Sequence, residues 1–107
     1  MADAAAIVRK VDSPGLRLQL DTGECAMNQE LLPGAVVENL DIIGHVHISE
    51  PMLDDFSEPW EGHAQLSRIF AENDYKGVIS LEMKRPSSGL AGVHNALAFV
   101  RDCYGRC

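Results

Sequence analysis

The sequence predicts an α/β fold: a partial (β/α) barrel of about three parallel strands with flanking helices, in a single half-barrel-like domain over residues 1–107. Three observations predict it. Helix-like and strand-like runs alternate along the chain, which implies parallel strands joined by right-handed crossovers. Each strand is apolar on one face and carries polar, metal-grade side chains on the other. A doubly wound sheet needs both faces apolar, so the wetter interior of a barrel near its functional end accommodates the pattern better.

The elements follow in order. Residues 3–12 read as a helix, with Ala5, Ile7, Val8 and Val11 clustered and Pro14-Gly15 as the stop. Residues 16–21 alternate strictly and form the first strand, with Leu16, Leu18 and Leu20 toward the helices and Arg17, Gln19 and Asp21 opposite. Thr22-Gly23 is expected to turn the chain, and 27–40 to be helical around a break at Pro33-Gly34. The second strand spans 42–49, with Ile42, Val46 and Ile48 toward the helices and Ile43, His45, His47 and Ser49 opposite.

Residues 50–62 are rich in acid, proline and glycine and read as a long loop. Phe56 and Trp60 make it a candidate lid, against the plainer reading of an acidic surface loop pinned by one aromatic. Residues 63–74 are helical, with Leu66, Ile69 and Phe70 toward a core. The third strand is 78–83, with Ile79, Leu81 and Met83 toward the helices and Val78, Ser80 and Glu82 opposite. The last helix is 91–104, with Val93, Ala96, Leu97, Val100 and Cys103 at helical spacing.

The bulk composition excludes several roles. A hydrophobic share of 46% supports a modest core. The net charge is −7, and no cluster of lysine and arginine appears, so no nucleic-acid partner is expected. No apolar run approaches the ~20 residues that span a bilayer, so no membrane association is expected. The N-terminus lacks the basic start of a signal peptide. Three cysteines, Cys25, Cys103 and Cys107, form no CxxC pair and point to free thiols in a reducing, cytoplasmic setting, with a Cys103–Cys107 bridge as the alternative.

The chemistry gathers at the strand ends. Asp21, His47 and Glu82 each stand near the carboxyl end of their strand, on the polar face. Parallel sheets present function at that end. Taken singly, each has a plain reading: a capping aspartate, a hydrogen-bonded histidine, a solvated glutamate. Together, at one height on consecutive strands, an aspartate, a histidine and a glutamate can converge on one divalent cation.

The residues also carry a resemblance. Leu20-Asp21-Thr22-Gly23, the run Ile43-Gly44-His45-Val46-His47-Ile48-Ser49-Glu50, and Tyr75 through Met83 resemble the last three strand motifs of the xylose-isomerase-like TIM barrels. That superfamily includes ketose 3-epimerases, hydroxypyruvate isomerase, inosose dehydratase and endonuclease IV. The resemblance runs from residue 3 to residue 104. It implies that Asp21, His47 and Glu82 occupy three of four metal-ligand positions, for Mn, Mg, Co or Zn. It implies a catalytic role for Glu82, moving a proton beside a carbonyl, and a place for His45 in the outer shell or beside the substrate. Glu24 stands where many members place a histidine, so it too is a substrate-side or outer-shell candidate.

Besides Glu24, the sequence departs from the family in two further places. The fourth ligand, a glutamate on an earlier strand, has no counterpart in these 107 residues. Leu53 and its neighbours offer no arginine after HxHxxE, where epimerases often have one. The expectation is a truncated sugar isomerase/epimerase-like protein that keeps a divalent-metal site. Catalysis is expected only if a homo-oligomer or a complementing chain completes the site, with a small sugar as ligand. The alternative is a non-catalytic scaffold or interaction module, favoured if Arg17 neutralises Asp21.

Overall fold

A computed structural model describes residues 1–28 and 33–105. Among them, the chain forms helix α1 (Ala2–Val11), strand β1 (Leu18–Asp21), helices α2 (Thr22–Asn28) and α3 (Pro33–Asn39), and strand β2 (Ile43–Ile48). A 3-10 turn (Pro51–Leu53), helix α4 (Gly62–Glu72), strand β3 (Val78–Leu81) and helix α5 (Leu90–Tyr104) follow. The strands form one parallel sheet in the order β1-β2-β3. That arrangement is the α/β alternation expected from the sequence.

The register sets the functional heights. Asp21 pairs with His47, and His47 with Ser80. Glu82 follows β3 directly, and its backbone N–H donates to the Ile48 carbonyl at 2.9 Å. The core lies on the opposite face. Leu18, Leu20, Val46 and Ile48 are buried there against Leu66, Ile69 and Phe70 of α4 and Ala96 of α5. Fully burying a side chain such as Leu66 or Phe70 contributes on the order of 1.5–3 kcal/mol. Ala96 and Tyr104 are the buried side chains of α5, and Gly92 is buried beneath Pro86 and Ser88.

Several expectations change in detail. Strand β1 begins two residues late, so Leu16 lies ahead of the strand and is exposed. Ile43 is buried, although strict alternation would place it beside His45 on the polar face. The cause is a register shift: Leu18 pairs with Ile43 but Gln19 pairs with His45, so Gly44 is an extra residue in β2. A Cβ at Gly44 would stand 2.9 Å from that of Arg17, which explains the glycine there. Thr22-Gly23 does not form a separate turn; α2 starts at Thr22, directly at the strand end. The part of the expected 27–40 helix at residues 29–32 lies outside the described residues, as does Cys107.

The 50–62 segment follows the plainer reading, a largely exposed acidic loop pinned by one aromatic, Phe56. Phe56 is 2% exposed and belongs to the core. Trp60 is partly buried, with its ring edge-on to His63 at 5.4 Å. Leu97 of α5, expected inside, is exposed. No helix among the described residues is long and apolar enough to cross a membrane.

Candidate metal centre

At the carboxyl end of the sheet, Asp21, His47 and Glu82 each offer one ligand-capable atom, and these atoms lie within 4.8 Å of one another. Three separate strand ends deliver them: the last residue of β1, the fifth of β2, and the residue after β3. His47 Nδ1 lies 3.0 Å from Glu82 Oε2. The Gln19 amide reaches the same ring nitrogen at 3.2 Å. The His47 side chain is 23% exposed and that of Glu82 45% exposed, so the site is open on the Glu82 side. Two carboxylates and an imidazole suit a divalent cation such as Mn²⁺, Co²⁺ or Zn²⁺, and the carboxylates also suit Mg²⁺.

Asp21 is held more tightly than a strand-end carboxylate needs to be. Its Oδ1 accepts the Glu24 backbone N–H at 3.0 Å and the Ser49 hydroxyl at 2.8 Å. The Gly23 N–H donates to Ser49 Oγ at 3.1 Å. Thr22 Oγ1 donates to the Ser49 carbonyl at 2.7 Å and accepts the Ser49 N–H at 2.8 Å. The ends of β1 and β2 are thereby laced together. A Cβ on Gly23 would stand 2.6 Å from Ser49 Oγ and 2.7 Å from the Glu50 carbonyl oxygen, so only glycine fits.

The other residues singled out from the sequence fall around this cluster. His45 Nε2 hydrogen-bonds with Ser80 Oγ at 2.8 Å, and its ring meets that of His47 edge-on at 4.6 Å. It neighbours the cluster without joining it. Glu24 contributes its backbone N–H to Asp21 and is exposed; its carboxylate is not among the clustered ligand atoms. Arg17 does not neutralise Asp21. Its guanidinium donates to the Asp41 carbonyl at 3.2 Å, at the lead-in to β2. An open cavity of about 360 Å³ adjoins the cluster, lined by Asp21, Glu24, Ser49 and Glu82 together with Met27 and Met52.

Sequence reasoning assigned no role to Ser49 or Glu50. Ser49 follows His47 by two positions on the same strand face, and that spacing was the available signal. Glu50 is buried, with its carboxylate 2.5 Å from His63 Nε2 and accepting the Trp60 N–H at 2.6 Å. His63 Nδ1 in turn meets the Tyr104 hydroxyl at 2.7 Å. His63 lies on the Leu66–Phe70 stripe of α4, so its burial was legible; its partners are 13 and 41 residues away and were not.

Comparison with known proteins gives the same architecture. Residues 1–103 match the family described as xylose isomerase-like TIM barrel. The human protein named "Putative hydroxypyruvate isomerase" is 32% identical over 105 residues, covering 96% of this chain and 36% of that protein. The crystal structure of 3-keto-D-glucoside 4-epimerase from E. coli superposes with a TM-score of 0.80 at 21% identity, over 95% of this chain and 39% of that one. D-allulose 3-epimerase from Methylomonas sp. gives a TM-score of 0.77 at 21% identity, over 96% and 42% of the two chains. At such identities the structural likeness speaks for the fold alone. The chain spans 36% of the length of the human relative and about 40% of these solved structures. It corresponds to part of a barrel, and it belongs to the xylose isomerase-like TIM-barrel family.

Proposed function

We propose that Asp21, His47 and Glu82 form part of the divalent-metal centre of a sugar isomerase or epimerase, with a small hydroxy-carbonyl sugar as ligand. The observation that carries this reading is the convergence of their ligand atoms within 4.8 Å at the carboxyl end of a parallel sheet. The isomerase and epimerase named above as relatives support it. A divalent cation there would polarise a carbonyl and acidify the adjacent C–H. Glu82, the most open of the three ligands, is the group proposed to move that proton. Asp21, fixed through Oδ1, holds its carboxylate in place, and His45 bounds the site beside His47.

Turnover in this reading needs a further carboxylate from outside these residues, as the second acid–base group and fourth ligand. A second copy of the chain or a complementing chain is the proposed source. Strands β1 and β3 each pair on one side only among the described residues, and such parallel edges favour association. The second reading is a non-catalytic scaffold or interaction module. The lack of an arginine at Leu53 and its neighbours, and the absence of the Glu24 carboxylate from the ligand cluster as a replacement for the missing fourth ligand, favour it.

Calorimetric titration of Mn²⁺, with Zn²⁺ alongside, into metal-stripped protein and into His47→Ala tests the centre. Binding that disappears in the variant is expected; equal heats from both proteins would overturn it. Light scattering on the eluting protein tests self-assembly, and a strict monomer would leave the complementing chain as the only source of the missing group.

A further inference from the structure

We infer that Ser49 is the positioning residue of the metal centre, aiming the Asp21 carboxylate by a hydrogen bond whose direction the backbone dictates. The inference rests on the proposed reading of Asp21, His47 and Glu82. Ser49 is 1% exposed and stands one residue past β2. Its hydroxyl oxygen already accepts the Gly23 N–H at 3.1 Å. The hydroxyl proton is therefore left to point elsewhere, and Asp21 Oδ1 lies 2.8 Å away. A hydroxyl is both donor and acceptor, and here each function has one partner.

The consequence falls on the carboxylate. Oδ1 takes two donors, Ser49 Oγ–H and the Glu24 N–H at 3.0 Å. Among the described residues no hydrogen bond reaches Oδ2, which leaves that oxygen for a cation. Two donors on one oxygen also stop rotation of the carboxylate about its Cβ–Cγ bond. Outer partners of this kind fix a ligand's orientation, and their loss typically weakens metal binding about 10- to 100-fold. Thr22 provides the contrast. It ties the same two strand ends together through the Ser49 backbone, yet it touches no ligand atom.

The test uses Mn²⁺ alone as the probe, with calorimetry on the full chain. Ser49→Ala is expected to weaken Mn²⁺ binding about 10-fold or more. Ser49→Thr, which keeps the hydroxyl, is expected to restore most of it. Thr22→Val is expected to lower the unfolding temperature while leaving Mn²⁺ affinity within about threefold, well short of the loss expected for an orienting partner. Unchanged affinity in a folded Ser49→Ala, or a Thr22→Val loss as large as that of Ser49→Ala, would overturn the inference while the metal centre stands. If wild type and His47→Ala bind Mn²⁺ alike, the centre itself fails, and the role of Ser49 fails with it.

Discussion

The imidazole of His47 faces Glu82 across the gap between two strands, Nδ1 to Oε2, at 3.0 Å. The contact joins residues 35 positions apart and exists because β2 and β3 are in register, with His47 opposite Ser80. Asp21 completes a group with two carboxylates within 4.8 Å of each other. Like charges so close oppose one another unless a cation or a proton intervenes.

That arrangement predicts opposite effects of one substitution. Asp21→Asn keeps a group that can accept the Ser49 and Glu24 hydrogen bonds but removes one negative charge. Without metal, its thermal midpoint is expected to equal or exceed that of wild type. With Mn²⁺ at 100 times its dissociation constant, wild type gains about 2.7 kcal/mol from binding. Asp21→Asn should gain almost none. Paired melting curves with and without Mn²⁺ check both halves; a large metal-free destabilisation in the variant would contradict the repulsion argument.

The buried chain Glu50–His63–Tyr104 should matter more for stability than for metal binding. Both side chains of the Glu50–His63 pair are almost fully buried, at 4% and 1% exposure. Removing His63 leaves the buried Glu50 carboxylate with the Trp60 N–H alone among the described residues, and a buried polar group deprived of a partner typically costs about 1–3 kcal/mol, more when charged. His63→Leu is therefore expected to destabilise by about 2 kcal/mol or more. Tyr104→Phe, at the far end of the chain, should cost about 1 kcal/mol, as for a single hydrogen bond. Urea unfolding of both variants gives the ranking, and the reverse order would mean that the tyrosine end anchors the chain.

Local pattern made the α/β order, the polar face and the Asp21–His47–Glu82 group legible. Alternation assigns strand faces, and in a parallel sheet one height per strand end brings the three residues together. Ile43 escaped because Gly44 adds a residue to β2, and one extra residue reverses every side chain before it. That one aromatic pins the acidic 50–62 loop was legible, but not that Phe56 rather than Trp60 is the core residue, because acid and proline flank both. The Ser49 lacing and the Glu50–His63 pair escaped for a different reason. They are agreements between distant residues, and no local period encodes them.

The pair Arg9–Asp41 predicts an acid-dependent contact. Arg9 Nη1 and Nη2 donate to the two Asp41 oxygens at 3.1 and 2.9 Å, and Nη2 also reaches the Glu38 carbonyl at 2.9 Å. The Arg9 hydrogen bonds hold the Asp41 carboxyl below its usual range, against a smaller opposing effect of desolvation. A carboxyl whose folded pKa is lowered stabilises fully above its unfolded value, near 4, and that stability is lost as pH falls through the folded value. The gap in urea midpoint between wild type and Asp41→Asn should thus be widest near neutrality and close below about pH 4. A gap that persists in strong acid would assign the effect to something other than the charge.

Backbone strain beside the site gives the last prediction. Met52 and Leu53 both adopt left-handed conformations, at φ 61° and 56°, in the 3-10 turn that borders the cavity. For side chains other than glycine that conformation costs roughly 1–2 kcal/mol. Met52 is 73% exposed, so its side chain contributes little burial to offset the cost. Met52→Gly is expected to raise stability by up to about 1 kcal/mol, because glycine enters the left-handed region freely. Leu53 is only 38% exposed, so Leu53→Gly loses packing as well as strain and should gain less or nothing. Urea midpoints for the two variants test the contrast. If Met52→Gly is instead destabilised, the methionine side chain is packing against something across the cavity mouth and forms part of the cavity wall.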